Sequence, residues 1–377
     1  MKKIFYLGYY DTPENKEENR NIVLAATNKM TYIISAIERA GYNVEIVSAS
    51  QTRNSKKYDK KSIAVGEKSR LVLLRTIPWG NKIRRVFSVL YSKHQLIKYI
   101  LKNVGKDDTL IVYHSVAYAD MVRLLKKIKK FKLVLEVEEI YADVVNSENY
   151  RKKEDKLFKI ADSYIFSTEL LNEKVNKDDK PNTIIYGTYQ VEKEQNSKWD
   201  DGKIHLVYAG VFALDKGVMT AINTTEFLDS RYHIHIIGFG NKNEVQKVEE
   251  RVKEISHKCQ CKISYDGLLY GDEYIRYIQG CHIGLSPQSK EATFNETSFP
   301  SKTLSYLSNG LRVVSIRIKS IENSSVSDLI SFYDEDSSVA IAEAIKNIDI
   351  EETYDSREII RNLDRNFVLE INKILGS

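Results

Sequence analysis

The sequence predicts an α/β protein made of two doubly wound parallel-sheet halves. Three observations carry that prediction. Short apolar segments alternate with longer amphipathic ones up to about residue 190, a polar stretch at 190–203 breaks the alternation, and the pattern then restarts and runs to residue 316. Strands alternating with helices imply a parallel sheet covered on both faces. A chain of 377 residues holds two core-bearing domains at ~100–200 residues each.

In the first half, "KKIFYLGYY" (2–10) reads as a buried strand, and "TNKMTYIISAIERAG" (27–41) as a helix capped by Thr27 or Asn28 and stopped at Gly41. "YNVEIVSAS" (42–50) is the next strand, which completes a β-α-β unit. Strands follow at "DTLIVYHS" (108–115), "FKLVLEVEEIY" (131–141) and "DSYIFSTE" (162–169), with helices at 117–130 and 149–161 between them. The stretch "QVEKEQNSKWDDGK" (190–203) has no apolar period and reads as a linker.

The second half starts with the strand "IHLVYAG" (204–210) and continues with strands "YHIHIIGFG" (232–240), "CKISYDGLL" (261–269), "HIGLSPQ" (282–288) and "LRVVSI" (311–316). Helices are predicted at 217–228, 242–258, 271–281 and 299–310, and a long amphipathic helix closes the chain at 354–375. The expected division is 1–195, 196–355 and a C-terminal helix 356–377 that crosses back to the first domain. In such a pair of domains the cleft between them is the default site.

Composition narrows the function. Apolar residues at 42% and charged residues at 29% are those of a globular chain. No apolar run is long enough to span a bilayer or, at the N-terminus, to serve as a secretory signal, so a cytoplasmic location is expected. Cys259, Cys261 and Cys281 lack the paired spacing of a zinc site and read as reduced structural thiols. Net charge is +5, and residues 69–106 hold nine basic residues and no acidic one. Within that block Ile83, Val86, Phe87, Leu90, Ile97 and Ile100 recur at roughly helical spacing. A basic amphipathic helix is attracted to an anionic membrane surface or to nucleic acid, and a solvated face on a packed helix is the plainer reading.

Several segments carry anion-binding character. "YAGVFALDKGVMTAI" places Gly210 just after a strand and Lys216-Gly217 at a helix start, where a lysine beside free N–H groups suits a diphosphate. "HIIGFGN" ends a strand at Gly238 and Gly240, which lets a flat ring or a ribose approach the backbone. In "FNETSFPSKTLSYLSNG", Pro300 suits a first helical position, which puts Ser301, Lys302 and Thr303 in a first turn able to hold a phosphate, with Glu296 just upstream. An ordinary strand-to-helix connection accounts for the same residues. In the first half, His114 ends a strand, and Glu136, Glu138 and Glu139 end another, where a carboxylate binds or deprotonates a hydroxyl. Arg20, Asn28 and Lys29 follow the first strand and are candidate acceptor or phosphate contacts. Asp334 and Asp336 precede a helical run and read as caps rather than as a metal-binding Asp-x-Asp.

Taken together, G-x(5)-K-G at 210–217, I-G-x-G at 237–240, Y-D-G at 265–267, P-x(3)-E at 287–291 and "YLSNGLRVVS" at 306–315 resemble the donor domain of retaining GT-B glycosyltransferases of family 4, found in bacterial surface-polysaccharide pathways. The resemblance covers residues 204–318 and implies two facing Rossmann-like domains. It implies a UDP- or GDP-sugar donor as substrate, a lipid-linked or oligosaccharide acceptor, retention of configuration, no cofactor and no metal. Lys216 would contact the diphosphate, with Gly210, Gly217, Gly238, Gly240, Phe299, Ser301, Lys302 and Ser305 around the donor. His114 and Glu296 would be catalytic, with Glu291 a second candidate carboxylate, and Arg20, Asn28, Glu138 and Glu139 would meet the acceptor. The sequence departs from the family where Val211 replaces an arginine and Ser305 a glutamate. The expectation is thus a transferase peripheral to the inner face of the membrane, held there by residues 69–106, with no nucleic-acid partner. The alternatives are a non-catalytic partner of another transferase or a basic nucleic-acid binder.

Overall fold

The structure is a computed structural model that describes residues 3–195, 199–290 and 297–376. The chain divides into two units, Met1–Thr188 with Arg365–Ser377, and Tyr189–Asp364.

The first unit carries an eight-stranded sheet. Its strands are β1 (Ile4–Gly8), β2 (Val44–Ser48), β3 (Lys61–Ala64), β4 (Ser69–Leu73), β5 (Thr109–Tyr113), β6 (Lys132–Val137), β7 (Ser163–Phe166) and β8 (Asn182–Ile184), in the order 3-4-2-1-5-6-7-8. All pairs are parallel except β3 with β4. The inner strands are apolar almost without interruption, as burial on both faces demands. Leu7, Val47, Val112, Leu135 and Phe166 lie in its core, with Tyr118, Val122 and Leu157 from the covering helices.

The second unit has six parallel strands: β9 (Ile204–Val211), β10 (Tyr232–Phe239), β11 (Lys262–Tyr265), β12 (Ile283–Ser286), β13 (Arg312–Ile316) and β14 (Ile330–Tyr333). Their order, β11-β10-β9-β12-β13-β14, reverses direction between β9 and β12. In a doubly wound sheet, ligands bind at the carboxyl ends of the strands flanking that reversal. The helix Ser301–Ser308 packs on β12 and β13 through Tyr306. A Cβ at Gly284 of β12 would lie 2.3 Å from the Tyr306 ring, so only glycine lets the helix settle this close. The Tyr306 hydroxyl accepts from Ala209 N–H at 2.9 Å and reaches the Leu285 carbonyl at 3.3 Å, which ties the helix to the ends of β9 and β12.

Several local expectations need correction. The first helix is Leu24–Arg39, earlier than the expected cap at Thr27 or Asn28, because Thr27 bonds back to the Val23 carbonyl and Val23 caps without a side chain. The β3–β4 hairpin sits partly inside the basic block, where charge hides the apolar alternation of "SRLVL". β6 stops at Val137 because Tyr141 and Ala142 begin a helix whose N–H groups donate to Glu154 at 2.9 and 2.8 Å. The helix Ser338–Lys346 is capped by Ser337, while Asp334 pairs with Arg317 at 2.7 Å. The closing helix spans Ser356–Gly376; Ser356 and Arg357 bond to carbonyls of the second unit, and residues from 365 onward pack in the first, with Phe367 stacked on Tyr32.

The basic helix Lys82–Asn103 is amphipathic in an unexpected sense. Ser88, Ser92, Leu96, Tyr99 and Ile100 face inward, while Ile83, Val86, Phe87 and Leu90 are exposed by 57–67%. Replacing Tyr306 by phenylalanine should lower the urea unfolding free energy of the second unit by about 1–3 kcal/mol, because Ala209 N–H loses its buried acceptor. An unchanged midpoint for Tyr306→Phe would show that the bridge carries no weight.

Candidate functional site

The carboxyl end of β9 supplies Ala209, Gly210 and Val211 to a cavity of about 660 Å³. After β9 the chain makes a tight turn through Leu214–Lys216 and Gly217 before the helix Val218–Asn223. Gly217 has φ +76°, and a Cβ there would sit 1.6 Å from the Pro287 carbonyl oxygen, so the turn demands glycine. Tyr208 holds the turn from below: its hydroxyl is 2.7 Å from the Val211 carbonyl and 3.2 Å from that of Lys216. Asp215 is fixed by its carbonyl, which accepts from Ser289 N–H at 3.0 Å. This scaffold delivers the Lys216 side chain to the cavity wall, one third exposed and 3.6 Å from the Asp215 carboxylate.

The opposite wall is the start of the helix Ser301–Ser308 with the preceding Ser298, Phe299 and Pro300. Pro300 is the cap residue rather than the first helical residue, since its ψ of 114° is extended. The first-turn N–H groups of Ser301 and Lys302 have no intrahelical acceptor, as at any helix start, and the helix dipole adds positive potential there. Lys302 crosses under Gly210: a Cβ on Gly210 would lie 2.5 Å from its Cε. Its ammonium rests 4.8 Å from the centroid of the Tyr208 ring, a cation–π contact. Among the described residues Lys302 has no carboxylate partner. Burial first, and then the Lys216 charge, lower its pKa from 10.5 to about 8, against a smaller pull from Asp215.

Two cations, two first-turn N–H groups and the hydroxyls of Ser301 and Ser305 thus surround one cavity. That donor set suits a doubly charged, oxygen-rich anion with a polar extension. Ser305 pairs with the Tyr274 hydroxyl at 3.3 Å, and Tyr274 and Gln288 also line the cavity.

Gly210, Lys216, Phe299, Ser301, Lys302 and Ser305 are brought together as cavity residues. Gly217, Gly238 and Gly240 are not on its wall; Gly217 shapes the turn, and Gly238 allows contact with the Gly210 backbone, where a Cβ would lie 1.8 Å from the Gly210 oxygen. Glu296 and Glu291 lie outside the described residues. Tyr274 and Gln288 were missed: the strand-end position of Gln288 pointed to it, but nothing local marks Tyr274.

The first-unit candidates separate. His114, expected at an open strand end, is 1% exposed and packed between Tyr141 and Phe158. Its Nε2 is 3.3 Å from Glu154, and burial lowers its pKa to about 4, so the ring is neutral. Its surroundings are those of a core residue, with no open face toward a ligand. Arg20 is likewise buried: it donates to Glu18 at 2.7 Å and to the Ser50 and Leu74 carbonyls, pinning a loop to the sheet. Asn28 is exposed. Glu138 is paired with Lys29 at 2.7 Å and only partly exposed, and Glu139 is half-buried beside it. Glu136 is buried against the Tyr6 hydroxyl, and burial together with the Glu138 charge raises its pKa to about 8.

No protein-family model and no curated protein matches the chain in sequence. Solved structures do. A sucrose-phosphate synthase from Thermosynechococcus elongatus matches with TM-score 0.67 at 12% identity, over 99% of this chain and 98% of that one. The E. coli structure described as "Trehalose-6-phosphate from E. coli bound with UDP-2-fluoro glucose" matches with TM-score 0.69 at 10% identity, over 100% and 99%. An alpha,alpha-trehalose-phosphate synthase (UDP-forming) from Burkholderia xenovorans, in complex with glucose-6-phosphate, matches with TM-score 0.63 at 10% identity, over 99% and 96%. The fold is therefore the GT-B class, with two Rossmann-like parallel-sheet units.

The shifted lysine gives a direct check. A ¹³C-labelled-lysine NMR titration should show Lys302 deprotonating near pH 8, and Lys216→Ala should move that midpoint upward, because removing the neighbouring charge favours the ammonium. A Lys302 midpoint at the ordinary lysine value would mean that its ammonium is not buried beside Lys216.

Proposed function

We propose that the chain is a metal-independent, retaining glycosyltransferase that takes a sugar from a nucleoside-diphosphate sugar. The observation that carries this reading is the convergence of Lys216 and Lys302 on one cavity at the sheet's topological switch point. In this reading the diphosphate lies between the two ammonium groups and the first-turn N–H groups of Ser301 and Lys302. These groups are fixed before reaction, so they stabilise the charge that builds on the leaving phosphate as the glycosidic bond breaks. The pair supplies charge where Val211 stands in place of an arginine. The Ser305–Tyr274 hydroxyl pair would hold the ribose in place of a glutamate. Glu296 would bind hydroxyls of the transferred sugar. The acceptor would lie with the first unit, where the half-buried carboxylates Glu138 and Glu139 end β6.

The acceptor we favour is a lipid-linked saccharide, as in surface-polysaccharide synthesis. Among the described residues no helix is long and apolar enough to cross a membrane. Peripheral attachment is supported by the exposed Ile83, Val86, Phe87 and Leu90 beside Lys82, Arg84, Arg85 and Lys93 on one helix. A second reading, a sugar-phosphate acceptor, draws on the names of the synthases with the same fold.

Calorimetry with UDP- and GDP-sugars tests the donor site. Binding of one of them should weaken by roughly 10–100-fold in Lys216→Ala and in Lys302→Met, corresponding to the ~1.5–3 kcal/mol of a hydrogen bond to a charged group. The same affinity should fall as pH rises through about 8, because the diphosphate prefers Lys302 protonated and above that pH binding must first take up a proton. Silence across the donor panel would instead favour a non-catalytic partner. Flotation with anionic vesicles should retain the native chain and release Phe87→Ser/Leu90→Ser, since each buried large apolar side chain adds ~1.5–3 kcal/mol. Equal retention of both would remove the membrane reading.

A further inference from the structure

A second cluster of chemistry lies at the other end of the second unit's sheet. His205 of β9 stands in register with His233 of β10, and His235 follows two residues on, so all three imidazoles share one face. All three are buried, and one ring nitrogen from each lies within 4.8 Å of the others. His205 Nδ1 and His235 Nε2 face each other at 2.8 Å.

The outer nitrogens of these two rings lie beside carboxylates. His205 Nε2 is 2.8 Å from Asp201 Oδ1, an acceptor without a proton, so Nε2 holds the ring's hydrogen. His235 Nδ1 is 3.2 Å from Asp266 Oδ2. Asp266 Oδ2 is also 2.7 Å from the Ser264 hydroxyl and 2.5 Å from that of Tyr277, and the Tyr277 hydroxyl lies 2.6 Å from His235 Nδ1. His205 Nδ1 thus turns a lone pair toward His235 Nε2 across 2.8 Å, where it can take either that ring's hydrogen or a bound cation. The third ring contributes a buried Nδ1 with no hydrogen-bond partner, while its Nε2 is 3.1 Å from the Ser264 hydroxyl. Imidazoles whose outer N–H groups are held by carboxylates are the usual surroundings of a bound transition metal.

We propose that His205, His233 and His235 form a binding site for a divalent transition-metal ion of the zinc and cobalt class, oriented by Asp201 and Asp266. Tetrahedral bonds of ~2.0–2.1 Å set ligand nitrogens ~3.3 Å apart, so the facing pair opens by roughly 0.5 Å on binding. The ion cross-links β9 to β10 and, through Asp266, to the end of β11. Its role is structural, since the donor cavity lies at the opposite ends of these strands. Trp199 covers the site: its ring is stacked on His205 and His235 with centroids 5.2 Å away and planes 17° and 15° from theirs.

Trp199 makes the test direct, because the chain's only other tryptophan is Trp79. Untagged Trp79→Phe protein is stripped with a chelator and titrated with Co²⁺ while tryptophan emission and visible absorption are followed. The expected result is one Co²⁺ per chain, the visible bands of a low-coordinate ion, severalfold quenching of Trp199, and displacement by Zn²⁺. His233→Gln, the least engaged ring, should keep the native circular dichroism and lose at least tenfold in Co²⁺ affinity. His205→Gln should lose more. The proposal is overturned if Co²⁺ does not bind, if it binds without changing Trp199 emission, or if His233→Gln and His205→Gln bind it as the native chain does. Nucleotide-sugar binding, measured separately, is independent of either result.

Discussion

The second unit depends on one contact: the Tyr306 ring lying against Gly284, with its hydroxyl shared between Ala209 N–H and the Leu285 carbonyl. It sets the height of the helix Ser301–Ser308 above the sheet. Lys302 projects from the first turn of that helix, one turn before Tyr306, and can pass under Gly210 only because both glycines lack a side chain. A methyl group at either glycine would push the helix or the lysine outward. The geometry of the cavity is thus a packing result before it is an electrostatic one.

Charge is handled differently in the two units. In the first, the buried cations among the described residues are matched: Arg20 by Glu18 and Lys29 by Glu138. Its strand ends also gather carboxylates, and Glu136 is raised to about 8 by burial and by Glu138. In the second, Lys302 faces the Lys216 charge and rests on the Tyr208 ring, with a smaller pull from Asp215. A buried ammonium with no carboxylate partner among the described residues is costly, and the lowered pKa expresses that cost. An anion in the cavity would offset that cost.

The alternation of apolar strands and amphipathic helices was legible in both halves because parallel strands buried on two faces leave continuous hydrophobic runs. β4 was not, since arginine and serine interrupt it and it reads as part of a charged block. β14 was hidden by its short length and by the acidic turn after it. At the cavity beside β9, the meeting of Gly210, Lys216, Ser301 and Lys302 was readable in part, because glycine and proline mark where a backbone turns. Tyr274 was not, since its place depends on where the helix Gly271–Gly280 lands, which no local spacing encodes. Burial of His114 and Arg20 was equally invisible, because a strand-end position does not tell whether later helices will cover it.

The histidines show the same limit from the other side. "HIH" at 233–235 places two rings on one strand face, but the third comes from β9, and only the parallel register brings His205 beside His233. A sequence search for cysteine pairs and Asp-x-Asp passes over such a set, because its ligands are adjacent across strands and not along the chain. Register also explains why this cluster and the anion cavity do not compete. At ~3.3 Å per residue, His205 and Gly210 stand ~16 Å apart along β9. The amino end of the sheet can therefore be stiffened by polar cross-links while its carboxyl end stays open, which keeps the glycine-lined cavity fixed without filling it.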